Sequence, residues 1–176
     1  MPANQIPVAV FVTGGTFDKE YDELSGTLFF KKSHVKEMLA LGRSLVSTRV
    51  ETLMMIDSLV MTDADRELIA KKCVSAREKN IVITHGTDTM ETTARFLAPR
   101  VAGKTVILTG AMVPYKFGSS DGQFNLGSAL AYAQVLSAGV YVVMNGRFFL
   151  WDNVRKNRQG GYFEERKAIS KRGAAK

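Results

Sequence analysis

The sequence predicts an α/β domain built on a mostly parallel central sheet, and three observations support this prediction. Short apolar runs alternate with segments of helical pattern along the chain. Each run is apolar nearly throughout, as expected for a strand that is buried on both faces. Each run is also followed by turn-forming or polar residues.

Five of these runs are predicted to be strands. They are Val8–Val12, Val50–Ile56, Ile81–Thr84, Thr105–Thr109 and Val140–Met144. Helical segments separate them, and parallel neighbours in a sheet need such a crossover connection.

Four helices are predicted between the strands. Ser33 is expected to cap the first helix, which Gly42 closes. Thr62 is expected to cap the second, whose acidic first turns and closing Lys71 and Lys72 suit the helix dipole. The other two predicted helices are Thr89–Leu97 and Phe124–Leu136.

Length and composition indicate a single globular domain. The chain has 176 residues, of which 45% are apolar and 23% charged, which excludes disorder for its bulk. No apolar run approaches the ~20 residues of a membrane-spanning helix. The start of the chain lacks a basic region followed by an apolar core, so a cytoplasmic location is expected. Cys73, the single cysteine, excludes an intrachain disulfide and is expected to be a small core residue.

The positive charge is concentrated near the end of the chain. The net charge is +7, and the stretch from Trp151 onward contributes +5 of it, from eight Lys/Arg and three Asp/Glu. We therefore divide the chain into a domain, residues 1–160, and a basic tail, residues 161–176. A solvated terminus is the favoured interpretation of this tail. Nucleic-acid binding is less favoured, because the tail has few aromatic side chains to stack on bases.

Ligands of open α/β sheets bind beyond the carboxyl ends of the strands. The polar segments that follow the five predicted strands are 13–18, 57–58, 85–89, 111–121 and 145–156. Candidate functional residues are therefore sought in these segments.

Three of these segments contain residues capable of chemistry. Thr13–Thr16, with the sequence TGGT, combines two glycines with a hydroxyl nucleophile, but a plain tight turn would have the same sequence. In Thr84–Thr89, Asp88 could cap a helix or meet a ligand where the helix begins. His85 is expected to be a packed, hydrogen-bonded histidine. Lys156 could act as a base near a threonine, or it could be a surface lysine.

Taken together, these motifs resemble one family. VTGGT at 12–16, ITHGTDT at 83–89, LTGAM at 108–112, SDGQFNL at 120–126 and VVMN at 142–145 occur in its order and spacing. The chain resembles the amino-terminal domain of bacterial-type L-asparaginases, which also act as glutaminases, over residues 7–160. The resemblance implies a three-layer α/β/α, flavodoxin/Rossmann-like fold.

The resemblance also implies an amidohydrolase that needs no metal or organic cofactor. A threonine hydroxyl attacks the side-chain amide, ammonia leaves, and water hydrolyses the acyl-enzyme. By position, Thr16 matches the nucleophile and Tyr21 the tyrosine that assists it. Thr87 matches the second catalytic threonine and Lys156 its lysine partner. Because a threonine hydroxyl is a poor nucleophile, Tyr21 or Lys156 is expected to serve as its base.

Substrate-binding residues follow from the same resemblance. Asp88 matches the aspartate that binds the α-amine and takes part in catalysis, and Ser58 matches the serine that holds the α-carboxylate. The backbone at Gly15 and Gly86 is expected to approach the substrate and its oxyanion. Leu59 stands where the high-affinity enzymes have a glutamine, and the family's second domain would begin where this chain ends.

Two further classes of function remain open. A non-catalytic domain that binds a small amide or carboxylate would need Ser58 and Asp88 but neither Thr16 nor Lys156. A nucleic-acid or partner-binding protein would work through the basic tail.

The family also implies a homodimer or homotetramer. Aromatic side chains in the segments after the fourth and fifth strands are equally compatible with an interface and with core packing. They are Tyr115, Phe117, Phe148, Phe149 and Trp151.

Overall fold

A computed structural model describes residues 6–166 of the chain. The strands are β1 (Val8–Gly14), β2 (Lys19–Asp22), β3 (Thr27–Phe30), β4 (Thr48–Ile56), β5 (Asn80–Thr84), β6 (Thr105–Thr109), β7 (Gly139–Met144), β8 (Arg147–Leu150), β9 (Arg155–Asn157) and β10 (Tyr162–Glu164). The α-helices are α1 (Val35–Leu41), α2 (Asp63–Ser75), α3 (Met90–Leu97) and α4 (Gly122–Val135). Short 3₁₀ helices lie at Thr16–Asp18, Ser58–Val60 and Tyr115–Phe117.

Six strands form one sheet in the order β4-β1-β5-β6-β7-β8. The five strands predicted from the sequence are β1, β4, β5, β6 and β7, and their pairings are all parallel. This confirms the predicted α/β fold. The sixth strand, β8, pairs antiparallel with β7.

The sheet is covered on both faces, as the apolar runs predict. One core joins Phe11 and Ile83 of the sheet to Ile69 of α2 and Leu97 of α3. The other core includes residues of α1 and α4. The result is the expected three-layer α/β/α arrangement. Cys73 is fully buried in the first core, as predicted.

Helix α2 begins as the sequence predicts. The Thr62 side chain accepts a hydrogen bond from the Asp65 N–H, and the Asp65 carboxylate accepts one from the Thr62 N–H. This capping box satisfies two donors that the first turn leaves free. The prediction for α1 was wrong by one residue, because His34 occupies the N-cap and the Ser33 hydroxyl accepts only the Val35 N–H.

Two small hairpins were not predicted. Strands β2 and β3 form one, directly after the end of β1. Strands β9 and β10 form the other, which spans residue 160, where the sequence divides the domain from its basic tail. The tail itself is described only up to residue 166, and its remainder lies outside the described residues.

The aromatic segments divide between core and surface. Phe149 is buried in the first core and Trp151 packs against it. Tyr115 packs against the second core, whereas Phe117 and Phe148 are exposed. None of the helices found in residues 6–166 has the length and apolar character that crossing a bilayer requires.

Candidate active site

The carboxyl ends of three adjacent strands bring the predicted site segments together. Strands β4, β1 and β5 are neighbours in the sheet, so the residues that follow them meet at the edge formed by the carboxyl ends of the strands. The Thr13 Oγ1 atom donates a hydrogen bond to the Thr84 carbonyl at 2.7 Å. The Gly15 N–H donates to the Ile56 carbonyl at 3.0 Å. These bonds fix the three strand ends relative to one another.

Two glycines let the loops after β1, β4 and β5 touch. A Cβ atom added to Gly15, which has φ +80°, would lie 2.3 Å from the Gly86 backbone nitrogen. A Cβ atom added to Gly86 would lie 2.4 Å from the Ser58 Oγ. No side chain fits at either place. Thr16 directly follows Gly15 and Thr87 directly follows Gly86, so the two predicted catalytic threonines belong to loops in contact.

Lys156 reaches this edge from β9. Its Nζ atom donates to Thr87 Oγ1 at 2.7 Å and to Asp88 Oδ1 at 3.0 Å. Only 10% of its side chain is exposed, so it is not a surface lysine. The structure thus joins Thr87, Asp88 and Lys156 in one hydrogen-bonded group.

The hairpin of β9 and β10 is what holds Lys156 in place. Val154 and Phe163 are buried in the first core, one before and one after the lysine. The Phe163 N–H donates to Asn145 Oδ1 at 3.1 Å, which ties β10 to the turn between β7 and β8. Apolar burial and one hydrogen bond therefore fold the end of the described chain back over the site.

Asp88 is held by two cations. Arg158 Nη1 lies 2.8 Å from the same Oδ1 atom that Lys156 contacts. Burial alone would raise the pKa of Asp88, but hydrogen bonds and positive charge from Lys156 and Arg158 lower it below its usual range. The carboxylate is therefore ionised at neutral pH. Asp88 does not cap a helix, since α3 has Thr89 at its N-cap.

Ser58 carries an unsatisfied hydroxyl. It is 1% exposed, and its Oγ has no hydrogen-bond partner among residues 6–166. The neighbouring Asp57 accepts hydrogen bonds from the Leu59 N–H and from Lys19. Burial would raise the pKa of Asp57, but these two bonds lower it. Buried polar groups are nearly always paired, so Ser58 is a donor available to a ligand.

His85 is a packed residue, as the sequence predicts. It is fully buried, its Nδ1 donates to the Gly86 carbonyl at 2.8 Å, and its Nε2 accepts from Thr93 Oγ1 at 2.9 Å. Burial lowers the pKa of His85 to about 4. The imidazole is thus neutral at pH 7 and serves to position the loop that carries Thr87.

The side chains of Tyr21 and Leu59 are both exposed to solvent. Tyr21 is on the β2–β3 hairpin with 56% of its surface exposed. Within residues 6–166, no side-chain hydrogen bond joins it to Thr16. Leu59 is 65% exposed.

Among residues 6–166, no group of three or more His, Cys, Asp or Glu side chains is arranged to hold a metal ion.

Two charged residues of this edge were missed by sequence analysis. Lys19 pairs with Asp57, and Arg158 pairs with Asp88. Arg158 lies two residues beyond Lys156, in the turn that follows β9. No local sequence signal marks its contact with Asp88, because Lys156 and Arg158 fall in a basic, polar stretch that does not look like a strand.

The fold and this edge define an α/β protein whose candidate site lies at the carboxyl ends of the parallel strands. Residues 7–162 match the family model "Asparaginase, N-terminal". The chain belongs to the asparaginase family, through this amino-terminal domain.

Three relatives illustrate the similarity. The chain is 40% identical over 109 residues to L-asparaginase 2 of Escherichia coli K12, covering 58% of this chain and 31% of that one. The crystal structure of L-asparaginase I from Vibrio cholerae matches with a TM-score of 0.80 at 27% identity, covering 92% and 52%. A structure described as "Probable Cytoplasmic L-asparaginase from Campylobacter jejuni" matches with a TM-score of 0.79 at 30% identity, covering 90% and 52%. The chain thus spans about half the length of these solved asparaginases.

Proposed function

We propose that this chain is an amidohydrolase of the asparaginase type, which hydrolyses a side-chain amide to a carboxylate and ammonia. The observation that carries the proposal is the hydrogen bond of 2.7 Å between Lys156 and Thr87, made beside Asp88. A lysine bonded to a threonine hydroxyl, with only 10% of the lysine side chain exposed, is suited to proton transfer. Family membership supplies the reaction class that needs such a pair.

In this proposal Thr16 is the nucleophile. Its Oγ1 attacks the amide carbon, and the hydroxyl proton passes to the leaving nitrogen through Tyr21 or through Thr87 and Lys156. The C–N bond breaks, ammonia leaves, and a threonine ester of the acyl group remains. Water then attacks this ester, which releases the carboxylic acid and restores the hydroxyl.

The same edge supplies groups for substrate binding. The unpaired Ser58 hydroxyl can donate to a carboxylate or an amide oxygen. The loop at Gly86 allows close approach of its backbone to the carbonyl oxygen that becomes an oxyanion. The Gly15 N–H is already bonded to Ile56, so Gly15 contributes by lacking a side chain.

Ammonia release from a panel of amides tests the proposal. The panel contains L-asparagine, D-asparagine, L-glutamine, asparagine dipeptides and succinamic acid. Thr16→Ala and Thr87→Ala are expected to reduce turnover by about 10²–10⁴-fold, as removal of a nucleophile or a proton-transfer group does. Thr52→Ala, an exposed position on β4, is the matched control and is expected to retain activity. Turnover that survives in both site variants would overturn the proposal.

A non-catalytic binding domain would need fewer residues of the site than an enzyme would. It would use Ser58 and Asp88 but has no role for the Thr87–Lys156 hydrogen bond, and this bond supports the enzyme. Ligand binding without release of ammonia from any amide would favour the binding domain.

We also propose that the protein is a cytoplasmic homo-oligomer, a dimer or tetramer. Exposed apolar side chains on and beside the edge strand β8, such as Phe148, Leu150 and Phe124, support self-association. Light scattering at micromolar concentration tests it, and a monomer would count against it. The Campylobacter jejuni relative described as cytoplasmic supports the location.

A further inference from the structure

The carboxylates next to the site residues are already engaged. Asp57 pairs with Lys19, and Asp88 pairs with both Lys156 and Arg158. Asp18, two residues after Thr16, is fully buried and accepts the His34 N–H at 2.7 Å. A ligand ammonium group needs an acceptor that is not already neutralised. Asp57 and Asp88 are paired with cations, and Asp18, whose Oδ2 has no partner among residues 6–166, is fully buried and so is not exposed to a ligand.

Arg158 is the residue that makes the net charge around Asp88 positive. Its Nη1 donates to Asp88 Oδ1 at 2.8 Å, and its Nη2 donates to the Asp88 carbonyl at 3.4 Å. With Lys156 on the same oxygen, one negative charge faces two positive charges. The group therefore carries a net positive charge, which attracts an anion and repels a second ammonium.

The turn of the β9–β10 hairpin positions Arg158. Asn157 Oδ1 accepts the Gly160 N–H at 2.9 Å, and the Asn157 carbonyl accepts the Gly161 N–H at 2.9 Å. These bonds close the turn that begins at Arg158. Two thirds of the Arg158 side chain remains exposed, so its other N–H groups are free to meet a ligand.

We propose that Arg158 sets the substrate class of this site, which takes ω-amides of dicarboxylic acids that lack an α-ammonium group, such as succinamate, in preference to asparagine and glutamine. Arg158 and Lys156 both contact the Oδ1 atom of Asp88, and their two positive charges exceed its one negative charge, which disfavours an added ammonium. The Arg158 guanidinium, together with the Ser58 hydroxyl, then donates to the substrate carboxylate. This inference rests on the proposed amidohydrolase function, whose substrate it names.

Binding and turnover are measured separately on the full chain. Calorimetric titration gives Kd for succinamate and for L-asparagine with the native protein, and ammonia release gives turnover of both amides. Arg158→Gln removes the charge and keeps a polar side chain. Arg155→Gln is the matched control, because Arg155 lies on the same hairpin but pairs with Glu164.

Native protein is expected to bind succinamate at least about tenfold more tightly than L-asparagine, since the net positive charge beside Asp88 disfavours the ammonium group of asparagine. Arg158→Gln is expected to reduce this ratio by about tenfold, whereas Arg155→Gln leaves it unchanged. Equal binding of both amides, binding of neither, or an unchanged ratio in Arg158→Gln overturns the inference. A preserved binding preference without any ammonia release refutes the amidohydrolase and leaves the assignment of Arg158 standing.

Discussion

Lys156 and Thr87 lie 69 residues apart in the chain, and their side chains meet at 2.7 Å in the folded protein. One is carried by a small hairpin near the end of the described chain, and the other follows a central strand of the sheet. Their contact depends on the burial of Phe163 and Val154, which fastens the hairpin to the sheet. Chemistry at this edge therefore depends on packing that lies beneath it.

Replacing Lys156 tests whether this contact transfers protons. Lys156→Met keeps a long side chain but removes the donor to Thr87, so ammonia release is expected to fall by about 10²–10⁴-fold. Far-UV circular dichroism should be unchanged. Arg155→Met provides the control on the neighbouring position. Full activity in Lys156→Met would remove the lysine from the mechanism.

Ser58→Ala separates ligand binding from stability. Because the Ser58 Oγ has no partner among the described residues, its removal should change the free energy of unfolding by less than about 0.5 kcal/mol. Succinamate binding should weaken by about tenfold, the value of one hydrogen bond.

Ser120→Ala is the matched comparison for Ser58→Ala. The Ser120 Oγ donates to the Val113 carbonyl at 2.6 Å and accepts the Gly122 N–H at 2.9 Å. Ser120→Ala should therefore lower the free energy of unfolding by about 1 kcal/mol. A similar loss for Ser58→Ala, measured by urea denaturation, would mean that Ser58 holds the fold rather than a ligand.

Gly15→Ala is expected to destabilise the protein more than the positive φ of Gly15 alone would. Gly15 and Gly103 both have positive φ, +80° and +73°, but a Cβ atom meets the Gly86 backbone in the first case and nothing within 4 Å in the second. Gly103→Ala should cost about 1–2 kcal/mol of stability from the positive φ alone. Gly15→Ala should cost a further ~1–3 kcal/mol from overpacking and abolish activity. Equal losses in thermal or chemical unfolding would contradict the close approach of the two loops.

Acid unfolding should depend on Glu78. Bidentate hydrogen bonds from Arg49, at 2.9 and 3.0 Å, lower the pKa of Glu78 from 4.5 to about 2. Because the pKa is lower in the folded state, the unfolded chain binds more protons than the folded protein between about pH 2 and pH 4.5. The stabilisation, about 1–2 kcal/mol, is therefore present above pH 4.5 and lost as the pH falls toward 2.

Urea denaturation at pH 7, 4.5 and 3 measures this effect. Glu78→Gln should be less stable than the native protein at pH 7 and should lose less stability on acidification. Glu67→Gln, on α2, serves as the control because Glu67 forms a half-exposed surface ion pair with Arg100. Parallel pH profiles for Glu78→Gln and the native protein would show that the ion pair does not contribute.

Cys73 should be inert in the folded protein. Burial raises the pKa of its thiol to about 12, and the side chain is inaccessible in the core. A thiol reagent such as DTNB should label it only in denaturant, with one thiol per chain. Rapid labelling of native protein would mean that α2 opens readily.

The parallel sheet could be predicted from the sequence because its signal is local. Buried strands such as Thr105–Thr109 need apolar residues throughout, and helices such as α2 carry their own cap at Thr62. The hairpin that bears Lys156 has no such signal. Its strands are three residues long and mostly polar, and only Phe163 is buried in the second of them. It forms because the rest of the fold offers Phe163 a place in the core.

Part of the candidate site could also be predicted from the sequence, and part of it could not. Thr16, Ser58 and Thr87 lie two to four residues after predicted strands, so the strand pattern places them at the carboxyl end of the sheet. Arg158 could not be found this way, because its role depends on a long-range approach to Asp88 that no local pattern encodes.

Lys156 and Arg158 share one segment, residues 155–164, that contributes no strand to the six-stranded sheet. The two cations that face Asp88 therefore come from a segment separate from the strands whose loops carry Thr16, Ser58, Thr87 and Asp88. The sequence of this short hairpin can vary in charge at its exposed positions, while Phe163 keeps it anchored in the core. Under the proposed function, substitutions in ten residues outside the main sheet are enough to alter the charge that a substrate meets.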